Sequence, residues 1–262
     1  MGWLGHLAAA PRAARLAPGK RVYAIGDVHG RNDLLCDLLA QIRRHATCAP
    51  WAENILVLLG DYVDRGPQSR AVIDTLLGLN WPDWQFIFLR GNHDQAVLDF
   101  LADASFYPGW RPYGADKTLL SYGVVPPRSD NKVELARARN ALAVGMSRAH
   151  VGFLQTLRLL HVEDDYLFAH AGIRPGVPVE RQAAEDLLWI RDEFLNCAQD
   201  LPKKVVHGHT PADHPFIARH HISVDTAAHA THRLTAAILE DDNCIFLQTG
   251  AKARREFELT IV

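Results

Sequence analysis

The sequence predicts an α/β fold, and three observations carry that expectation. Short apolar, β-branched runs recur along the chain, a tight polar turn containing glycine follows each, and apolar residues at helical spacing come after the first turns. Repeated in that order they make βα units, whose strands deliver their carboxyl ends to a common edge.

The run RVYAIG (21–26) is the first strand, and Leu34, Leu35, Leu38, Leu39 and Ile42 mark one face of the helix behind it. NILVLLG (54–60) is the second, followed by a helix carrying Val72, Ile73, Leu76 and Leu77. WQFIFLRG (84–91) leads into a third helix, and YLFAH (166–170), KVVHGH (204–209) and HISVD (221–225) repeat the pattern of a strand with a polar tip. RLTAAILE (233–240) and NCIFLQTG (243–250) meet at an Asp-Asp-Asn turn and read as a hairpin. Between about 103 and 160, aromatics, proline and glycine precede an Arg- and Ala-rich helical stretch (133–149), which reads as an insertion or cap near the strand tips. Residues 1–19 contain no acid and read as a disordered tail, leaving 20–262 as a single domain without an internal repeat or a dividing linker.

Composition narrows the function. Across 262 residues, 28 basic and 30 acidic side chains give a net charge of -2, so no global basic field points to nucleic acid or to an anionic membrane. No run approaches the ~18 apolar residues of a membrane span. Cys36, Cys48, Cys197 and Cys244 are scattered without a CxxC pair, which suits a reducing, cytoplasmic setting.

The polar clusters fall where strands end: GDVHG (26–30), GDYVDRG (60–66), GNHD (91–94), HAGIR (170–174) and HGHT (207–210). Singly, each has a plain reading, such as a helix capped by Asn92 or a satisfied core histidine. In succession, they repeat a costly placement of polar groups after buried strands, and the mixture of Asp, Asn and His suits divalent ions of the Mn, Fe or Zn type.

In order and spacing, GDVHG, GDYVDRG and GNHD resemble the signature of the PPP-type phosphoprotein phosphatases in their bacterial and phage branch, over roughly residues 20–250. The resemblance implies a calcineurin-like metallophosphoesterase fold, a β-sandwich of mixed sheets flanked by helices, holding two divalent metal ions, manganese (Mn2+) foremost with Fe or Zn as alternatives. Carried over position by position, Asp27 and His29 would bind the first metal, Asp61 would bridge both, and Asn92, His170 and His209 would complete the second. A carboxylate bridge makes chemical sense because dications held ~3.5–4 Å apart repel unless anionic oxygen separates them. The expected chemistry is direct attack on phosphorus by a metal-bridging hydroxide. Arg65 would grip the phosphate with its planar fork, and Arg191 would be the second phosphate arginine, with Arg174 as its rival. His93 would protonate the leaving alkoxide, oriented by Asp64.

The expected partner is a phosphoprotein bearing phosphoserine or phosphothreonine, with phosphotyrosine also in reach, or a small phosphorylated substrate. No nucleic acid or membrane is expected. The alternative is a symmetrical dinucleoside polyphosphate (diadenosine tetraphosphate) hydrolase, which shares these motifs. His207, two residues before His209, is expected on the opposite face of its strand, and Asp225 to orient a metal-binding histidine. AAHATH (227–232) stands where relatives have a glycine-rich turn, and Trp110, Arg111, Tyr113 and Lys117 either select substrate or pack.

Overall fold

Strands buried on both faces read as unbroken apolar runs, and β1 (Lys20–Ile25) and β2 (Glu53–Leu58) show why. In the computed structural model, which describes residues 14–250, Val22, Ala24, Ile55 and Val57 face one apolar layer while Tyr23, Ile25, Leu56 and Leu58 face another. The first layer lies between two five-stranded sheets and the second beneath helices.

The first sheet has β1, β2 and β3 (Trp84–Phe88) parallel, with β9 (Thr235–Glu240) and β10 (Asn243–Gln248) added antiparallel beside β1 in the order β10-β9-β1-β2-β3. The second runs β4 (Leu160–Glu163), β5 (Tyr166–Ala169), β6 (Lys204–His207), β8 (His221–Ser223) and β7 (Phe216–Ile217), with parallel pairing at β5-β6-β8 and antiparallel edges. Phe168, Val206, Ile222 and Val224 close the layer between the sheets. Over the first sheet, α1 (Asn32–Cys48) buries Leu35, Leu38, Leu39 and Ile42, and α2 (Ser69–Leu77) buries Val72, Ile73 and Leu76. Beside them, α3 (Asn92–Ala102) buries Val97 and Phe100. On the second sheet's far side, α8 (Ala184–Trp189) and α9 (Asp192–Leu195) supply Leu187 and Phe194. The expected sandwich of mixed sheets flanked by helices is the observed one.

Several expectations need correction. The helix read over 133–149 is two, α6 (Lys132–Gly145) and α7 (Arg148–Thr156), because Ser147 caps the second by accepting the His150 N–H at 3.2 Å. Ahead of them lie α4 (Tyr107–Trp110), which packs on α3, and α5 (Ala115–Ser121), which packs on α2. The edge strands β4 and β7 escaped the sequence reading because each is too short to show a period. Of the stretch 1–19 expected as a tail, the described part packs on the domain: Leu16 is buried in the layer between the sheets, and the Arg15 and Ala17 N–H groups donate to Asp165 and Asp164. Residues 1–13 lie outside the described residues. The four cysteines are unpaired.

Candidate metal centre and active site

Parallel pairing brings the carboxyl ends of β1, β2 and β3 to one edge of the first sheet, and β5 and β6 bring theirs to the second. The turns beyond them carry Asp27 and His29, then Asp61, Asp64 and Arg65, then His170 and His209, while α3 opens on Asn92 and His93. The backbone there is forced. His29, Asp61, Asp64, Arg65 and His209 all have positive φ, between +44° and +68°, a strain of about 1–3 kcal/mol each for residues with a Cβ. Glycines admit the polar groups: a Cβ on Gly91 would stand 2.0 Å from Asp61 Oδ1, and one on Gly208 2.0 Å from Asp27 Oδ1.

Lone pairs converge at the centre. His170 Nδ1 lies 3.0 Å from the Leu59 carbonyl and so donates to it, leaving Nε2 as a bare acceptor. That Nε2 faces Asn92 Oδ1 at 2.9 Å, His209 Nδ1 at 3.1 Å and Asp61 Oδ2 at 3.5 Å. On the other side, His29 donates Nδ1–H to the Val63 carbonyl at 2.9 Å and points Nε2 at Asp61 Oδ2, 3.5 Å away. Two three-residue groups capable of holding a cation result, His29–Asp61–His93 and Asp61–His170–His209, and Asp61 belongs to both. The acceptors of His29, Asp61, Asn92, His170 and His209 repel one another in a dry site and attract a cation placed among them, so that donor set fits divalent metal.

Electrostatics agree with that fit. Burial opposes charge on Asp61, yet the imidazoles of His170, His93, His29 and His209 hold its carboxyl below the usual range. Burial keeps His29, His170 and His209 neutral, with His209 pushed down to about 2, which is the form that ligates metal. Asp27 is less simply placed. Its oxygens accept the His209 backbone N–H at 3.1 and 3.2 Å, and burial with neighbouring Asp225 and Asp61 pushes its carboxyl well up. A second cation charge beside this acidic group would offset that repulsion.

His93 differs from the other imidazoles. Its Nδ1 sits 2.7 Å from Asp64 Oδ2, and its Nε2 reaches toward the centre, 3.8 Å from Asp61 Oδ2. Burial disfavours its charge, but Asp61 and Asp64 outweigh burial and raise it above the ordinary histidine value. Arg65 and Arg191 line the same cavity together with Asp27, His29, Asp61, Asn92, His93 and His209. The competing Arg174 is spent on Asp186, with contacts of 2.8 and 2.5 Å, and is absent from that lining. A roomier cavity of about 520 Å³ between Gly123–Arg128 and α6 gathers no imidazoles.

A family profile described as calcineurin-like phosphoesterase matches residues 20–243. The chain belongs to that family. Among the relatives of this calcineurin-like phosphoesterase are serine/threonine-protein phosphatase 1 of Salmonella typhimurium, 26% identical over 226 residues (84% of this chain, 93% of the relative), and the asymmetrical bis(5'-nucleosyl)-tetraphosphatase PrpE of Bacillus thuringiensis, 23% identical over 248 residues (81% and 87%). In fold it resembles the crystal structure of a mutant cold-active protein tyrosine phosphatase, with a TM-score of 0.58 at 20% identity, covering 88% of this chain and 80% of that one. Family membership makes it a metal-using phosphoester hydrolase.

Other expectations about this calcineurin-like phosphoesterase are refined. Asn92 is the first helical residue and not the cap, which is Gly91. His207 does face away from the centre, pairing with His221 at 2.9 Å. Among the described residues Asp225 makes no hydrogen bond to a histidine; it accepts the Ala227 N–H at 2.8 Å and lies beside Asp27. The AAHATH segment forms α10 (Ala228–Thr231), which brings His229 edge-on to the His29 ring at 5.3 Å. Of the insertion residues, Tyr113 lines the cavity, Arg111 pairs with Asp130 at 3.1 Å on the exposed side, Lys117 is solvent-facing and Trp110 is fully buried. Asp94 and Trp189 were missed. Trp189 lines the cavity against His209, and Asp94 accepts three backbone N–H groups beneath it. An acid at the third position of a helix that opens on glycine was the available signal for Asp94.

Proposed function

We propose that the protein is a phosphatase that hydrolyses phosphomonoesters, in the first place phosphoserine and phosphothreonine in proteins, with phosphotyrosine also admitted. The observation that carries this reading is the His93–Asp64 contact of 2.7 Å, which aims a protonated imidazole into a cavity lined by two arginines and the lone-pair cage. An alkoxide is a poor leaving group, and a donor placed for it is worth about 10²–10⁴-fold.

Asp27, His29, Asp61, Asn92, His170 and His209 would hold a pair of divalent cations, Mn2+ first among the candidates, which supply charge neutralisation at phosphate and acidify water. The side chains do the rest. Arg65, half-buried at the cavity wall, and Arg191, whose Nη1 lies 3.2 Å from Thr210 Oγ1, grip non-bridging phosphate oxygens and carry the charge that builds there. The water oxygen, having lost one proton to solvent, forms its bond to phosphorus as the ester P–O bond breaks in line; the proton on His93 Nε2 passes to the departing oxygen, and His93 is reprotonated from solvent before the next turnover. Asp64 holds Nδ1–H throughout, fixing which ring nitrogen delivers the proton.

The likeness to PrpE supports a second reading, hydrolysis of dinucleoside polyphosphates, whose phosphate leaving group needs less protonation. A serine-phosphorylated peptide and diadenosine tetraphosphate, compared under Mn2+, separate the two. Preference for the peptide in kcat/KM upholds the first reading, and preference for the dinucleotide overturns it.

A further inference from the structure

The insertion reaches behind the site as well as over it. Trp110, at the end of α4, and Thr118, within α5, are both fully buried, and both end on Asp64. Trp110 Nε1–H donates to Asp64 Oδ2 at 2.7 Å, the same oxygen that meets His93 Nδ1 at 2.7 Å. Thr118 Oγ1–H donates to Oδ1 at 2.5 Å, and the Thr118 oxygen accepts the Asp64 backbone N–H at 2.8 Å.

We propose that Trp110 and Thr118 are positioning residues for the proton donor, holding the Asp64 carboxylate in the one plane from which it can grip His93. The proposal rests on the role given to His93 above. A carboxylate oxygen offers two in-plane lone pairs; with Trp110 on one and His93 on the other, rotation about Cβ–Cγ breaks both bonds and the Thr118 bond as well. The backbone cannot supply this constraint, since Asp64 sits at φ +68°, where its own preferences oppose the conformation. Packing alone does not explain the tryptophan. Its ring lies 5.3 Å from Phe100 and 6.3 Å from Tyr107, a wall that phenylalanine would also fill, but phenylalanine has no N–H for Asp64.

The test is a leaving-group comparison on full-length protein at saturating Mn2+. Trp110→Phe and Thr118→Val are assayed with a phosphoserine peptide and with p-nitrophenyl phosphate, whose phenolate departs without a proton. A hydrogen bond to a charged group is worth enough to lower kcat on the peptide about 10- to 100-fold, with a far smaller loss on the aryl ester and KM little changed. In an Asp64→Asn background, Trp110→Phe adds almost nothing, because its effect passes through the carboxylate. Thr118→Ser restores the rate lost in Thr118→Val. Equal losses on both substrates, or additive losses in the Asp64→Asn background, overturn the proposal. Should Trp110→Phe fail to fold, the threonine pair decides alone. A clear split for His93→Asn with none for Trp110→Phe or Thr118→Val sinks only this proposal; no split for His93→Asn sinks the acid assignment and this one with it.

Discussion

Asp94 lies beneath Asp61 and holds its turn in place: Asp94 Oδ2 accepts the Asp61 N–H at 2.8 Å and the Gly91 N–H at 2.9 Å, while Oδ1 accepts the Tyr62 N–H at 3.0 Å. One carboxylate thus ties the turn after β2 to the start of α3. Asp94→Ala leaves those buried donors unpaired at about 1–3 kcal/mol apiece. Loss of thermal stability together with bound metal is expected, read by calorimetry and by metal analysis of the purified variant; unchanged metal content would refute the structural role assigned to Asp94.

Gly91→Ala attacks the same place sterically. With its Cβ 2.0 Å from Asp61 Oδ1 and 2.4 Å from Asp61 N, the shared carboxylate must leave its position. Metal stoichiometry is expected to drop and activity to fall by at least about 10²-fold, while circular dichroism retains the signature of the sandwich.

His93→Asn keeps a polar group of similar reach but removes the transferable proton. The expected loss is about 10²–10⁴-fold on an alkyl phosphate and much smaller on p-nitrophenyl phosphate. Steady-state rates on the two esters are the measurement, and equal losses would remove His93 from the role of acid.

The two arginines differ in what they already hold. Arg174 is bound to Asp186, whereas Arg191 faces the cavity. Arg191→Ala is expected to lower kcat/KM by about 10²-fold, with Arg191→Lys recovering only part of it because the planar fork is lost. Arg174→Ala stays within a few-fold of the parent. Reversed outcomes in the same assay would exchange the two assignments.

Acid sensitivity of the fold follows from His207 and His221, buried together with the His207 Nε2 to His221 Nδ1 contact at 2.9 Å. Burial lowers them to about 3 and about 4, while in the unfolded chain each titrates near ~6.5. Between those values the unfolded state binds more protons, so stability is full above about pH 6.5 and is lost as pH falls toward 4, by at most ~1.4 kcal/mol per pH unit per group. His221→Phe is expected to shallow that slope in urea melts at pH 7, 6 and 5. A slope identical to the parent's would show that this imidazole does not titrate on unfolding.

The strands of the βα units could be read because both-face burial demands continuous apolar runs, as in RVYAIG and NILVLLG. The polar turns after those strands stood out for the opposite reason: Asp61 or His170 would be costly there without a partner. Elements that depend on one residue escaped. The break at Ser147 is a single capping bond, and β7 is two residues pairing with a distant strand.

By itself, the sequence determined the α/β rhythm, the five polar tips and the residues that converge at the centre, since local patterning and costly polar placement are written along the chain. Only the tertiary structure decided that Arg174 is held by Asp186 away from the cavity, and that Trp110 ends on Asp64. Those outcomes depend on distances between segments tens of residues apart, and such distances are set by how two sheets and the helices between β3 and β4 pack together, which no local period encodes.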